Sequence, residues 1–251
     1  MANNQVAIQE TFKLPSNGRL YDGKIPNEVT LHPMTTMQER IRLSSTNPFK
    51  ATPNLIRSCL VGTDFDTEEL KLFDLYFLMF KLRELTYGSD YKVKPICKNC
   101  GSNQPVIVDL SELEVGMLDE GDTEPFDIEL PVSGDHLGCK YLSCKDLNRL
   151  QNEIDRRKAK NPDVDESEIG FIPGLCSRIV TVNNEEMPQP LLVKYMQDMH
   201  AKDYNYFEKK YQDITNLPGI NLNYIASCPK CGSPIVFEVP VLAEFFRPSI
   251  D

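Results

Sequence analysis

Cys97-Lys98-Asn99-Cys100-Gly101-Ser102 and Cys228-Pro229-Lys230-Cys231-Gly232-Ser233 are the two stretches that decide how this chain is built. A two-residue gap lets both thiolates of a pair converge on one metal ion. The glycine after the second cysteine permits the turn that closes the knuckle. A tetrahedral four-thiolate site needs two such knuckles, and the chain supplies two with matching Gly-Ser tails. Cys97, Cys100, Cys228 and Cys231 are therefore expected to share one structural zinc. Redox chemistry at one pair would need a strand leading into a helix start, where thiol pKa falls, and neither pair has that setting. Two incomplete sites, or four reduced cysteines without metal, remain the alternatives. Cys59, Cys139, Cys144 and Cys176 have no metal spacing, and Cys59 and Cys176 are expected to face the core.

Working outward from the knuckles, the sequence repeats itself. Phe12-Lys13-Leu14-Pro15-Ser16-Asn17-Gly18 is echoed by Ile128-Glu129-Leu130-Pro131-Val132-Ser133-Gly134. Each leads through a short β-like stretch to a helix start, Thr35 and Thr36 before Glu39 in one case and Ser143 before Asp146 in the other. A hydroxyl residue three positions before an acid is a capping pattern. Pro53-Asn54-Leu55 sits where Pro173-Gly174-Leu175 sits later. Each half then runs through an acidic turn and a long helix into its knuckle, and closes on a strand, Pro105–Val108 or Pro234–Phe237. Ordered repetition of this kind reads as a duplicated unit. The expected fold is α+β, with two related hairpin-plus-helices units (1–120 and 121–251) joined by a zinc-ribbon-like four-cysteine site.

Asp66 to Leu85 is read as one helix, capped by Asp66 and stopped by Gly88. Its apolar residues nearly encircle the axis, which predicts burial at the centre of the molecule. Pro190 to about Ile214 is the longer, more polar counterpart. Residues 161–168 are expected to form an exposed loop, and the acidic, Gly-containing stretch 115–124 to connect the units.

Composition narrows function. With 37 Asp and Glu against 27 Lys and Arg, the net charge is −10, which argues against a nucleic-acid partner. Arg156-Arg157-Lys158 reads as a solvated helix face. No basic-then-apolar leader opens the sequence, and the longest apolar run, Leu75 to Phe80, falls far short of the roughly 20 residues that span a bilayer. A soluble intracellular protein is expected. His32, His136 and His200 lack metalloprotease spacing, and no nucleophile elbow, dinucleotide loop or phosphate loop occurs. Four thiolates would also leave a metal no open position for substrate. The reading is therefore of a protein without enzymatic activity or small-molecule substrate.

The order of the motifs carries a resemblance. Leu14-Pro15-Ser16-Asn17-Gly18-Arg19-Leu20-Tyr21, Val29-Thr30-Leu31-His32-Pro33-Met34-Thr35, the helix end at Thr86-Tyr87-Gly88, the two knuckles and Phe245-Phe246-Arg247-Pro248 are together similar to the base-plate hub subunits of T-even (T-four-type) bacteriophages. The likeness is clearest over residues 12–115 and 225–248. His32 departs from it, standing where the family pattern has arginine. The resemblance implies a non-catalytic structural or assembly protein of the contractile tail. Such a protein would bind other tail proteins in the host bacterial cytoplasm and, as a retained subunit, in the virion base plate. It leaves open whether the protein stays in the particle or acts as an assembly chaperone. The alternative is a zinc-ribbon adaptor regulating a host machine; a metalloenzyme is the third reading. For the partner surface, Phe245, Phe246 and Arg247 are candidates, being residue types enriched at interface centres. Against that stands a tail folded back onto its own ribbon.

Overall fold

The structure is a computed structural model that describes residues 8–43, 48–216, 218–241 and 245–246. Strands β1 (Glu10–Lys13) and β2 (Glu28–Leu31) pair antiparallel, Phe12 opposite Val29. Period-two alternation turns Phe12, Val29 and Leu31 inward and leaves Glu10, Lys13 and Glu28 in water. The Leu14–Gly18 turn after β1 needs its glycine. Gly18 has φ 72°, and a Cβ there would lie 3.0 Å from the Asn27 nitrogen. Helices α1 (Thr36–Leu43) and α2 (Pro48–Cys59) follow, and Leu60 bridges back to Leu31. The α1 cap is Thr35, reciprocated by Gln38 rather than by Glu39: the Thr35 amide donates to Gln38 Oε1 at 3.1 Å.

The helix expected over Asp66–Leu85 is broken near its start. Asp66 caps only a short 3-10 turn, Thr67–Glu69, through a bond from the Glu68 amide. Leu70 and Lys71 are extended, and α3 proper runs from Leu72 to Tyr87. The break has a physical cause. The extended pair binds the start of the other half through Leu72 N to Leu142 O and Cys144 N to Leu70 O. Lys71 meanwhile reaches Glu124 at 2.6 Å and the Tyr141 carbonyl at 3.1 Å. As expected, α3 is central: Phe73, Leu75, Phe77, Leu78, Met79, Phe80 and Leu82 are all buried.

After hairpin β3 (Asp90–Val93) and β4 (Val106–Asp109), the chain crosses to the second half through β5 (Val115–Gly116). This acidic connector is tied down rather than loose. Leu118 is buried against Phe73 and Tyr141, its amide donates to the Pro15 carbonyl, and Arg19 holds the carbonyls of Leu118 and Asp119.

In the second half, β6 (Phe126–Glu129), β7 (His136–Cys139) and β8 (Ile179–Val182) form a three-stranded antiparallel sheet. Helices α4 (Cys144–Lys160) and α5 (Glu166–Cys176) lie between its last two strands in sequence. The capping box predicted at Ser143 and Asp146 is present, with both reciprocal bonds made. The exposed loop expected over 161–168 ends earlier, because Asp165 caps α5. The long helix expected from Pro190 is two, α6 (Gln189–Asp198) and α7 (Ala201–Thr215). They are separated by extended Met199 and His200, with His200 Nδ1 capping α7. Strand β9 (Gly219–Ile220) pairs with β5, and hairpin β10 (Asn223–Ser227) and β11 (Pro234–Glu238) closes the described fold.

One buried device occurs in both halves. Asp74, in the first turn of α3, accepts the Ser16 amide at 3.0 Å and the Tyr21 hydroxyl at 2.6 Å. Asp203, in the first turn of α7, accepts the Val132 and Ser133 amides at 2.8 and 3.0 Å. Each carboxylate thus ties its long helix to its Leu-Pro turn.

The settings differ, which predicts different costs. Ser16 and Tyr21 are buried, whereas Val132 and Ser133 face water. Asp74→Ala should destabilise by about 1–3 kcal/mol for each donor orphaned, and Asp203→Ala by about 1 kcal/mol or less, in urea unfolding. Burial raises the Asp74 pKa. A carboxyl whose folded pKa is raised costs stability that is fully present above that value and is gone below the unfolded one. Asp74→Asn should therefore be milder than Asp74→Ala, and its standing against wild type should be best at neutral pH and worsen in acid.

Two large core clusters result, beside smaller ones around Leu118 and around the cysteine knuckles. One is built on α2, α3 and both closing hairpins; the other packs Ile128, Leu130, Leu137, Leu175, Leu192 and Phe207 inside the second half.

Candidate metal centre

The hairpins position the cysteines. In β3–β4, Tyr91 pairs with Val108 and Val93 with Val106, and all four are buried in the first cluster. In β10–β11, Tyr224 pairs with Phe237 and Ala226 with Ile235; Tyr224, Ala226 and Phe237 pack against that same cluster. Both hairpins are thus anchored on one core, and their knuckles meet. The knuckles are closed identically. Cys97 N donates to Ser102 O at 2.9 Å and Gly101 N to Cys97 O at 2.8 Å, while Cys228 N donates to Ser233 O at 2.8 Å and Gly232 N to Cys228 O at 2.9 Å. Gly101 and Gly232 have φ of 67° and 72°, the left-handed turn their position demands.

All four sulfurs lie within 4.8 Å of one another. Cys97 Sγ is 3.8 Å from Cys231 Sγ, and Cys100 Sγ is 3.7 Å from Cys228 Sγ. A disulfide would bring sulfurs to about 2.05 Å, so these are not disulfide geometries. A tetrahedron with metal–sulfur bonds of about 2.3 Å has sulfur–sulfur edges of about 3.8 Å. The donor set and its spacing therefore suit a tetrahedral metal ion. Cys97 and Cys228 are buried, Cys100 is half-buried and Cys231 is exposed, so the cluster opens to water on one side.

Electrostatics support the same conclusion. The Ser233 hydroxyl and amide, followed by Asn99, pull the Cys231 thiol down to about 5. The Ser102 amide also favours the Cys100 thiolate, but desolvation and the surrounding thiols outweigh it and push that thiol up to about 12. Four sulfurs this close cannot share several negative charges without a cation among them. Asn99 was not legible as part of the site: its Nδ2 donates to Ser233 Oγ at 2.9 Å, lacing one knuckle to the other.

The remaining candidates fall as follows. Cys59 and Cys176 are core residues, as expected, and so are Cys139 and Cys144. Burial pushes Cys59 to about 11 and Cys139 and Cys144 to about 12, so these thiols are inert. His136 pairs with Asp127, His200 caps α7, and His32 Nδ1 sits 2.8 Å from the Pro33 carbonyl. Phe245 and Phe246, candidates for a partner surface, are 1% and 8% exposed. Phe245 lies 4.7 Å from the Phe80 ring and 5.3 Å from Tyr91. They fold back into the core rather than face a partner, because two adjacent rings find more apolar contact there than in water. Arg247 lies outside the described residues.

Comparison with known families decides the class. The chain matches the family described as T4 bacteriophage base plate protein over residues 7–247, nearly its whole length. The chain belongs to this family. No curated protein and no solved structure matches it. As a member of this family it has a structural or assembly role, not a catalytic one, and its partners are other phage tail proteins. The host-machine adaptor and metalloenzyme readings give way to that membership. Among the described residues, no helix is long and apolar enough to cross a membrane.

Proposed function

We propose that this base plate protein is a component of the central hub, in which one structural zinc clasps two copies of a duplicated unit, residues 1–120 and 121–251. Cys97, Cys100, Cys228 and Cys231 hold the metal. Bound zinc supplies no reaction; it locks the knuckle ends of the two hairpins together, adding to the core contacts that anchor their strands. The observation that carries this reading is the four-sulfur cluster built from one knuckle of each half.

Support for the duplication comes from features around α3 and α7 that recur at one shared displacement. The extended break Leu70-Lys71 returns as Met199-His200, the buried carboxylate Asp74 as Asp203, and the buried stripe Leu78 and Leu82 as Phe207 and Tyr211.

The protein acts in base plate assembly in the host bacterial cytoplasm, and as a retained subunit it would lie in the virion tail. Mass spectrometry of purified hub intermediates beside mature particles tests this. Presence in both is the result for a structural subunit, and presence in intermediates alone is the result for an assembly chaperone. Absence from both would remove the hub assignment.

A further inference from the structure

The two knuckles are alike in backbone and unlike in the side chains between their cysteines. Both close with the same pair of amide-to-carbonyl bonds. Lys98 and Asn99 stand between the cysteines of the first, and Pro229 and Lys230 between those of the second. Asn99 Nδ2 donates to Ser233 Oγ at 2.9 Å and to Cys231 Sγ at 3.7 Å. Both acceptors belong to the opposite knuckle. The bracing runs in one direction only. Lys230 holds the matching position, and its ammonium makes no hydrogen bond or ion pair among the described residues. Ser102 Oγ, the counterpart of Ser233 Oγ, is buried and has no hydrogen-bond partner among them.

The sulfur that Asn99 reaches is also the one that water reaches. Cys231 is exposed, whereas Cys97 and Cys228 are buried and Cys100 is half-buried. A closed four-thiolate site offers no coordination position until one ligand swings away. The other three sulfurs are screened by protein, so Cys231 is the ligand that a competing chelator meets first.

We propose that Asn99 is a positioning residue that holds Cys231 in the site and so sets how fast the metal is given up. An N–H donated to a thiolate is charge-assisted and stronger than a bond between neutral groups. Because the donor sits on the other knuckle, Cys231 swings outward only by breaking a bond that joins the two halves. Losing a partner that orients a metal ligand costs about tenfold to a hundredfold in metal affinity. The proposal rests on the zinc clasp described above and names the residue that governs its opening.

The test is release of zinc from the reduced, metal-loaded full chain to a metallochromic chelator in large excess, followed by absorbance. Wild type is compared with Asn99→Ala, with Asn99→Asp, which keeps the size but removes the donor, and with Lys230→Ala. The expected result is release about tenfold to a hundredfold faster from both Asn99 variants. Lys230→Ala, changed at the matching position of the other knuckle, should release at the wild-type rate. Melting of the metal-free chains should coincide, which separates an effect on the metal from an effect on the fold. Release from Asn99→Ala at the wild-type rate would overturn the proposal and leave the clasp standing. Equal acceleration by Lys230→Ala, or a metal-free Asn99→Ala chain that melts below metal-free wild type, would also overturn it. Wild type that binds no zinc would remove the clasp itself and the proposal with it.

Discussion

Replacing Cys228 with serine should strip the metal from the chain and lower its unfolding free energy by several kcal/mol. A serine hydroxyl does not ionise at neutral pH, so the site drops to three thiolates. Apparent zinc-binding free energies of about 10–16 kcal/mol are found where metal binding and folding of a small peptide are one event. Here the hairpins also have a core of their own, so only part of that range is coupled to folding. A metal present at a thousandfold excess over its dissociation constant still stabilises by about 4 kcal/mol. The control is internal. A chelator should bring wild type down to the level of Cys228→Ser and leave the mutant unchanged, with proteolytic cuts appearing near residues 98 and 230 in both. Acid should act like the chelator, because thiolate ligands must lose protons to bind metal, so the contribution is present at neutral pH and lost as pH falls. Wild type that unfolds identically with and without chelator would show that the cysteines contribute no metal-linked stability.

Phe245→Ala should produce the second large effect, about 3–5 kcal/mol of destabilisation in equilibrium unfolding. Phe245 is 1% exposed, and its ring meets Phe80 on α3 and Tyr91 on β3, with Phe246 edge-to-face against it at 5.2 Å. Phe245 and Phe246 thereby reach into the core of the first half, a contact that repacking around an alanine would not restore. A change within about 0.5 kcal/mol of wild type is what a surface residue gives. That outcome would return Phe245 to the role of a partner contact.

The parts of the fold written in local spacing were legible. Cys-x-x-Cys-Gly-Ser specifies a knuckle through its own backbone, and Ser143 with Asp146 specifies a helix start, because each pattern is satisfied within a few residues. The apolar girdle of α3 announced a central helix for the same reason. What the sequence did not disclose depends on distant partners. Nothing local says that Leu70 and Lys71 leave the helix, since the cause is Leu142, Cys144 and Glu124 from the other half. The break at Met199 and His200 was hidden for another reason, since histidine is not among the usual capping residues and yet its Nδ1 caps α7. The Phe-Phe pair was ambiguous, because adjacent aromatics serve a core and an interface equally well until burial is known. Asp74 was within reach. Its signal is an acid inside the apolar girdle of α3, where a buried carboxylate needs a partner.

The most direct test of the account is the zinc content of the reduced, metal-replete full chain, measured by elemental mass spectrometry against protein concentration. One zinc per chain, lost in Cys97→Ser and in Cys228→Ser alike, is the predicted result, because both knuckles then hold a single ion. A well-folded chain without zinc, or one whose zinc survives the loss of either knuckle, would contradict the clasp that joins the two halves.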